Sequence, residues 1–331
     1  MYREKDYYRF LRMEIERYNF SKIDGMFRAV LNKRIEKEME WLDYNFGIVK
    51  DCEGLVNRKI TSVVAHHAML YKFIRKDFNL EGGKELVQMG ITYTLLCCVI
   101  DKLIDDSDYV ARKPYVEILK RFKLGEKFDT TGIEGNEILC KLFDAVNNQY
   151  IRIAAKYPLI NELIMEVSDR AIKSEVYVSE HNLLSMDGAD RKDITDKSAQ
   201  FTSAGILMAC MDISEKKAED LFKCSQEIGN ILLYVDDMSD LYEDIDTLQV
   251  NSLVFDIDKT VKDENDIEET LDQIINSVEN LVVTVDLYYN SLTRYLSKPS
   301  TDFMKFVIVN WLEKILMSEE KLVTASESSD Y

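Results

Sequence analysis

Apolar residues recur three and four positions apart among charged ones over much of the chain, the period of helices with one buried face. From Tyr2 to about Phe46, the series Phe10, Leu11, Ile15, Tyr18 and then Met26, Val30, Leu31 predicts two amphipathic helices with a break near residues 21–25. Residues 57–73 predict a third, opening on Arg58 and Lys59. After Gly82 and Gly83, the run 85–110 is apolar on nearly every side from Leu86 to Ile100, which predicts a central, buried helix. It ends in Asp101, Asp105, Asp106 and Asp108. Arg112-Lys113-Pro114 breaks it, a short helix follows from about Tyr115, and residues 124–134 read as loop. Helices are expected over 136–157 and from Pro158 to about Asn182. A polar link, 185–196, leads to a helix carrying Lys197 and the small residues Ser203, Ala204 and Gly205, which permit close packing. Ser214 is placed to cap the next helix, a long one that includes 227–244. Residues 244–266 read as irregular, and 267–296 and 301–317 as two final helices.

The chain has 331 residues with only 12 Gly and 3 Pro, too few breakers for a strand-and-turn architecture. With no internal repeat and no dividing linker, the expectation is one all-α domain over 1–320 and a disordered tail over 321–331. A net charge of −18 argues against nucleic acid as a partner, because a phosphate backbone wants a basic surface. The six Cys show no zinc-like spacing with the three His, which fits buried, reduced thiols. His66 and His67 read as packed or surface residues rather than ligands. The charged start, MYREKDYYRF, has no signal-peptide pattern, and no segment reads as a membrane span, so a cytoplasmic protein is expected.

Charge patterning changes the picture most in the stretch EIGNILLYVDDMSDLYED, residues 227–244. Asp236, Asp240 and Asp244 are four apart and read as one ladder, with Asp237 a step round the helix and Glu243 nearby. Each such like-charged pair destabilises a bare helix by about 0.2–0.5 kcal/mol. A hard cation such as Mg²⁺, which takes carboxylate oxygens and keeps positions for phosphates, would offset that cost. The bland alternative is a solvated acidic face. Asp101 and Asp105 also share a face, at the end of a buried-type helix where unpaired carboxylates are expensive. If the two clusters face each other across a bundle, they can hold Mg²⁺ between them. Lys197 would add a fixed positive charge for gripping a diphosphate, and an apolar cavity could take a hydrocarbon chain.

On these residues the chain resembles the class I isoprenoid synthases: trans-polyprenyl diphosphate synthases, squalene and phytoene synthases, and class I terpene cyclases. Gly229, an apolar run and then Asp236-Asp237-x-x-Asp240 look like the second aspartate-rich motif of the polyprenyl synthases. Lys197-Ser198-Ala199 resembles their Lys-Thr-Ala element, at a similar offset of 39 residues from Asp236. Asp101 and Asp105 match the first motif more loosely, with Lys102 replacing its second Asp. The resemblance covers roughly 57–260 and is strong over 195–244. It implies a helical bundle around a central active-site cavity and Mg²⁺-dependent loss of diphosphate from an allylic substrate. Asp101, Asp105, Asp236, Asp237 and Asp240 would bind a Mg²⁺ cluster, of up to about three ions. Lys197, Arg112, Lys113, Arg58 and Lys59 would hold diphosphate. Tyr93, Cys97 and Tyr234 would wall the pocket, and a homodimer is implied as possible. No role follows for Asp106, Asp108 or Asp244.

Departures from the family bear on the kind of enzyme. The Gly-Lys-Arg-x-x-Arg segment that binds isopentenyl diphosphate is here Asn57-Arg58-Lys59-Ile60-Thr61, without its last Arg. The family's His upstream of the first motif is Thr94, its paired arginines fall on Val110 and Ala111 beside Arg112 and Lys113, and the Gln before the second motif is Leu233. Losses concentrate on the second-substrate site, which favours a single-substrate terpene synthase, a cyclase or lyase. The alternatives are chain elongation with isopentenyl diphosphate, head-to-head condensation, and a non-catalytic prenyltransferase-like partner subunit. A helical divalent-metal hydrolase would use His in ExxH pairs, and the sequence contains none. Chain length and product skeleton are not encoded in any motif.

Overall fold

The computed structural model describes residues 2–17, 25–46, 58–105, 111–127, 137–184, 191–255 and 264–327. They form thirteen helices and no strand. These are α1 (Tyr2–Arg17), α2 (Gly25–Phe46), α3 (Arg58–Asp77), α4 (Lys84–Asp105), α5 (Lys113–Arg121), α6 (Glu137–Ala154) and α7 (Asn161–Glu180). Then come α8 (Arg191–Ala209), α9 (Glu215–Asp246), the single turn α10 (Ser252–Phe255), α11 (Glu264–Asn276), α12 (Val278–Leu292) and α13 (Lys298–Glu327). The chain is all-α.

Several boundaries differ from expectation, among them the turn α10 and the start of α11 inside the stretch 244–266 read as irregular. Helix α8 begins at Arg191, so the second half of the polar link is helical. The stretch 267–296 is two helices, parted at Ser277, which stands at the N-cap of α12 without a side-chain capping bond. Helix α13 continues to Glu327, into the expected tail. Ser214 does occupy the N-cap of α9, again without the side-chain bond that a capping serine can make.

Helix α8 is packed against α4, α7 and α9 more extensively than any other element. Small residues make this possible. A Cβ on Gly90 of α4 would lie 2.8 Å from the carbonyl oxygen of Gly205 on α8. One on Gly229 of α9 would lie 2.8 Å from Cα and 2.9 Å from the carbonyl carbon of Ala199. The backbones of α4 and α9 thus both close on α8, at Gly205 and at Ala199. Ser203 Oγ and Ser225 Oγ, 2.6 Å apart, satisfy each other across the α8–α9 seam. Contacts run on from α9 to α13, from α13 to α3 and from α3 to α4, which closes a ring of five helices with α8.

Arg75 ties the far end of this ring together. It is 3% exposed, and its guanidinium donates to both carboxylate oxygens of Asp212, at 2.7 and 2.8 Å, and to the carbonyl of Ala209 at 2.7 Å. A buried charge needs such a set of acceptors to be tolerated. At the opposite end, α1 lies across the acidic end of α9: the buried Tyr7 hydroxyl donates to the carbonyl of Met238 at 2.9 Å, and its ring packs on Tyr8 and Tyr242. The stretch Lys84–Ile104 is long and apolar enough to cross a membrane by length and composition alone, and 72% of its most apolar window is buried inside the protein.

Candidate functional site

The C-terminal ends of α4 and α9 meet at a cavity of about 400 Å³ that all five ring helices line. Asp101 enters from α4, and Asp236, Asp237 and Asp240 enter from α9. Lys59 comes from the first turn of α3, on the same cavity. Val63, Cys97, Cys98, Phe201, Leu232 and Trp311 supply apolar wall, beside polar residues that include Thr94, Thr202 and Thr247. Carboxylates at helix C-termini are disfavoured by the helix dipole as well as by one another. Neither α4 nor α9 avoids this.

The electrostatics follow from that crowding. Burial raises the Asp236 pKa well above the usual carboxylate range, and Asp240, Asp101 and Asp237 push it in the same direction, with Lys59 opposing. Asp240 is raised by burial, opposed by Lys59 and reinforced by Glu243 and Asp101. For Lys59, burial lowers the pKa, but Asp240, Asp236, Asp101 and Glu243 outweigh it and the net shift is upward. Cys98, beside Asp101 and Asp236, is pushed up to about 12, chiefly by burial, so it stays a thiol.

The acidic face of α9 divides in two. Residues eight apart are offset by about 80° around a helix, whereas residues seven apart are offset by only about 20°. Asp244 therefore sides with Asp237 rather than completing a ladder with Asp236 and Asp240. Asn251 Nδ2 donates to Asp244 Oδ2 and to the carbonyl of Asp237, both at 2.9 Å. The Ser252 N–H, at 3.1 Å, and its hydroxyl both donate to Asp237 Oδ2. Asp237 and Asp244 anchor the chain that returns after α9, while Asp236 and Asp240 share their field with Asp101 and Lys59.

Other expected site residues fall in varied places. Cys97 lines the cavity. Asp105, Lys197 and Arg58 are in helices, but their side chains lie outside the described residues, as do Asp106 and Asp108 altogether. Arg112 is half-buried ahead of α5 and Lys113 is exposed at its start; neither lines this cavity. Thr94, which stands where the family has His, is buried and occupied: it donates to the Gly90 carbonyl at 3.0 Å and lies 2.6 Å from the Tyr71 hydroxyl.

The aromatic wall differs from expectation. Tyr93 is buried beside Ser168, with 3.1 Å between their hydroxyl oxygens, and Tyr234 faces Tyr288 on α12; neither lines the cavity. Phe201 and Trp311 take that place. Phe201 was within reach of sequence reasoning, one helical turn after Lys197. Trp311 carried no motif and depends on α13 closing the ring.

A second cavity of about 480 Å³ adjoins the first and shares Lys59, Val63, His67, Leu232, Asp240 and Trp311 with it. Leu70, Met304 and Val307 add apolar wall. Among the described residues, no three His, Cys, Asp or Glu side chains stand close enough together to enclose an ion by themselves. The chain matches no protein-family model, and no curated protein sequence matches it.

Proposed function

We propose that this protein is a bundle of the isoprenoid-synthase type that ionises an allylic prenyl diphosphate with Mg²⁺ and releases diphosphate, most simply as a terpene synthase giving a hydrocarbon or alcohol. The observation that carries this reading is the single cavity shared by Asp101, Asp236 and Asp240, with apolar and aromatic walls beside them. A polar, acidic mouth over an apolar body suits a molecule with a charged head and a hydrocarbon tail.

The donor set fits Mg²⁺. It is all oxygen, and burial together with the neighbouring carboxylates raises the pKa values of Asp236 and Asp240 against the opposing charge of Lys59. Mg²⁺ ordinarily needs only one or two carboxylates, the rest of its shell being water and substrate phosphate, so a pre-closed cage is not required. Asp101, Asp236 and Asp240 would hold it, and when bound it would neutralise charge on the leaving diphosphate. Lys59, kept protonated by four carboxylates, supplies a further cation at the mouth. The aromatic side chains of Phe201 and Trp311 line the cavity and would stabilise positive charge on the hydrocarbon once diphosphate has left. The apolar walls exclude water from that carbon.

One observation favours chain elongation as a second reading. The adjoining cavity also contains Lys59, so a second diphosphate could be held beside the first. One assay separates the two readings. The protein is incubated with Mg²⁺ and geranyl, farnesyl, geranylgeranyl or geranylfarnesyl diphosphate, each with and without isopentenyl diphosphate, and products are read by mass spectrometry. A hydrocarbon or alcohol from one substrate alone supports the terpene synthase. Longer diphosphates formed only with isopentenyl diphosphate select elongation, and no turnover in any arm sinks both in favour of a non-catalytic subunit.

A further inference from the structure

His67 has a ring edge that the electrostatic machinery does not use. It is 7% exposed, lies on α3 two turns beyond Lys59, and lines both cavities. Its Nδ1 is 2.9 Å from the carbonyl oxygen of Val63. A carbonyl only accepts, so Nδ1 carries the proton and Nε2 keeps its lone pair. Among the described residues nothing is hydrogen-bonded to Nε2. With Nδ1 bound to its own helix, the opposite edge of the ring is the one left to the cavities. Burial lowers the His67 pKa from the ordinary imidazole value, so the ring is neutral at pH 7.

Depth distinguishes His67 from the acids. Lys59 stands at the acidic mouth, and eight residues of helix place His67 about 12 Å further along α3. Its neighbours on the cavity walls there include Val63, Leu70, Leu232 and Trp311. Other ionisable groups on the two cavities are Lys59 and His66 on α3, Glu4 and Tyr8 on α1, Cys97, Cys98, Asp101 and Lys102 on α4, and Asp236, Asp237, Asp240, Tyr242, Glu243, Asp244 and Asp246 on α9. Asp240 is committed to the cationic end, and no charged group registers on the His67 ring.

We propose that His67 is the general base that takes the terminating proton from the hydrocarbon, an inference that rests on the ionisation reading above. Diphosphate leaves with the C–O bonding pair, and an alkene then attacks the allylic cation, within one chain or from a second substrate. The cation that results has a C–H bond on the adjacent carbon. Nε2 accepts that proton, the C–H pair closes a new double bond, and the imidazolium gives the proton to water that enters as the product leaves. Atoms and charge balance with water as the final proton acceptor.

The test measures diphosphate release and product identity separately in the wild type, His67→Gln and His67→Ala, using the substrate panel above. Gln keeps a polar group of similar reach but is a far weaker base. A positioned general base contributes about 10²–10⁴-fold, so in His67→Gln the alkene formed per diphosphate should fall at least about tenfold, with alcohol from water capture replacing it. Diphosphate release should stay within about threefold, since ionisation precedes proton transfer. Added imidazole should restore alkene formation in His67→Ala. An unchanged product ratio in His67→Gln would overturn the base assignment and leave the ionisation reading standing. Parallel loss of release and product in both variants, unrelieved by imidazole, would overturn it in favour of a packing role. No diphosphate release by the wild type would overturn both proposals.

Discussion

Substituting Gly229 by Ala tests whether the acidic end of α9 is positioned by backbone contact with α8. Gly in a helix interior is about 1 kcal/mol worse than Ala, so on an open helix the change would stabilise the protein by that amount. Here the new Cβ would sit 2.8 and 2.9 Å from the Cα and carbonyl carbon of Ala199, and nearer still to its oxygen. Carbon atoms prefer about 3.5–4.0 Å, so α8 and α9 must separate locally by most of an ångström. Overpacking costs about 1–3 kcal/mol, and an obstacle made of helix backbone puts this site at the upper end. Setting that against the propensity gain leaves a net loss of about 2 kcal/mol. Urea unfolding followed by circular dichroism reads this directly, and the melting temperature should fall by about 3 °C. Gly25→Ala, where a Cβ meets nothing within 4 Å, serves as control and should be neutral or stabilising. A Gly229→Ala protein more stable than wild type by about 1 kcal/mol would refute the close α8–α9 crossing.

Three further outcomes are expected. Arg75→Met leaves Asp212 without its bidentate partner, and should destabilise the fold by about 3–5 kcal/mol in the same urea titration. Asp236→Asn relieves a carboxylate whose folded pKa is raised, so without Mg²⁺ it should raise the melting temperature at neutral pH while cutting diphosphate release about a hundredfold. For His67 the folded pKa lies below the unfolded value of about 6.5, so the unfolded chain takes up its proton first. Its contribution to stability is complete above that pH and is lost as pH falls through the window below it. A plot of melting temperature from pH 8 to 5 should therefore fall less steeply for His67→Gln than for wild type, and parallel curves would refute the burial of a neutral ring.

The sequence by itself determined that the chain is helical, where most of its helices lie, and that acidic clusters end two of them. Those features are local: apolar period, scarcity of Gly and Pro, and carboxylate spacing are written within a few turns of each element. Tertiary structure decided what the clusters do. Asp101 and Asp236 share a cavity because α8 is thin enough, at Gly205 and Ala199, for α4 and α9 to close on it. Which carboxylates remain for a ligand depended on Asn251 and Ser252, residues of the returning chain that engage Asp237 and Asp244. Sequence spacing could not separate Asp237 from Asp236, because neither hydrogen-bond partner belongs to the helix that carries them. Tyr93 and Tyr234 had suitable positions along their helices but turned to other neighbours, since a helix face acquires its meaning from what packs against it. His67 read as a packed or surface residue for the same reason. Only the closure of α3, α9 and α13 around it left the Nε2 edge of its ring to a cavity.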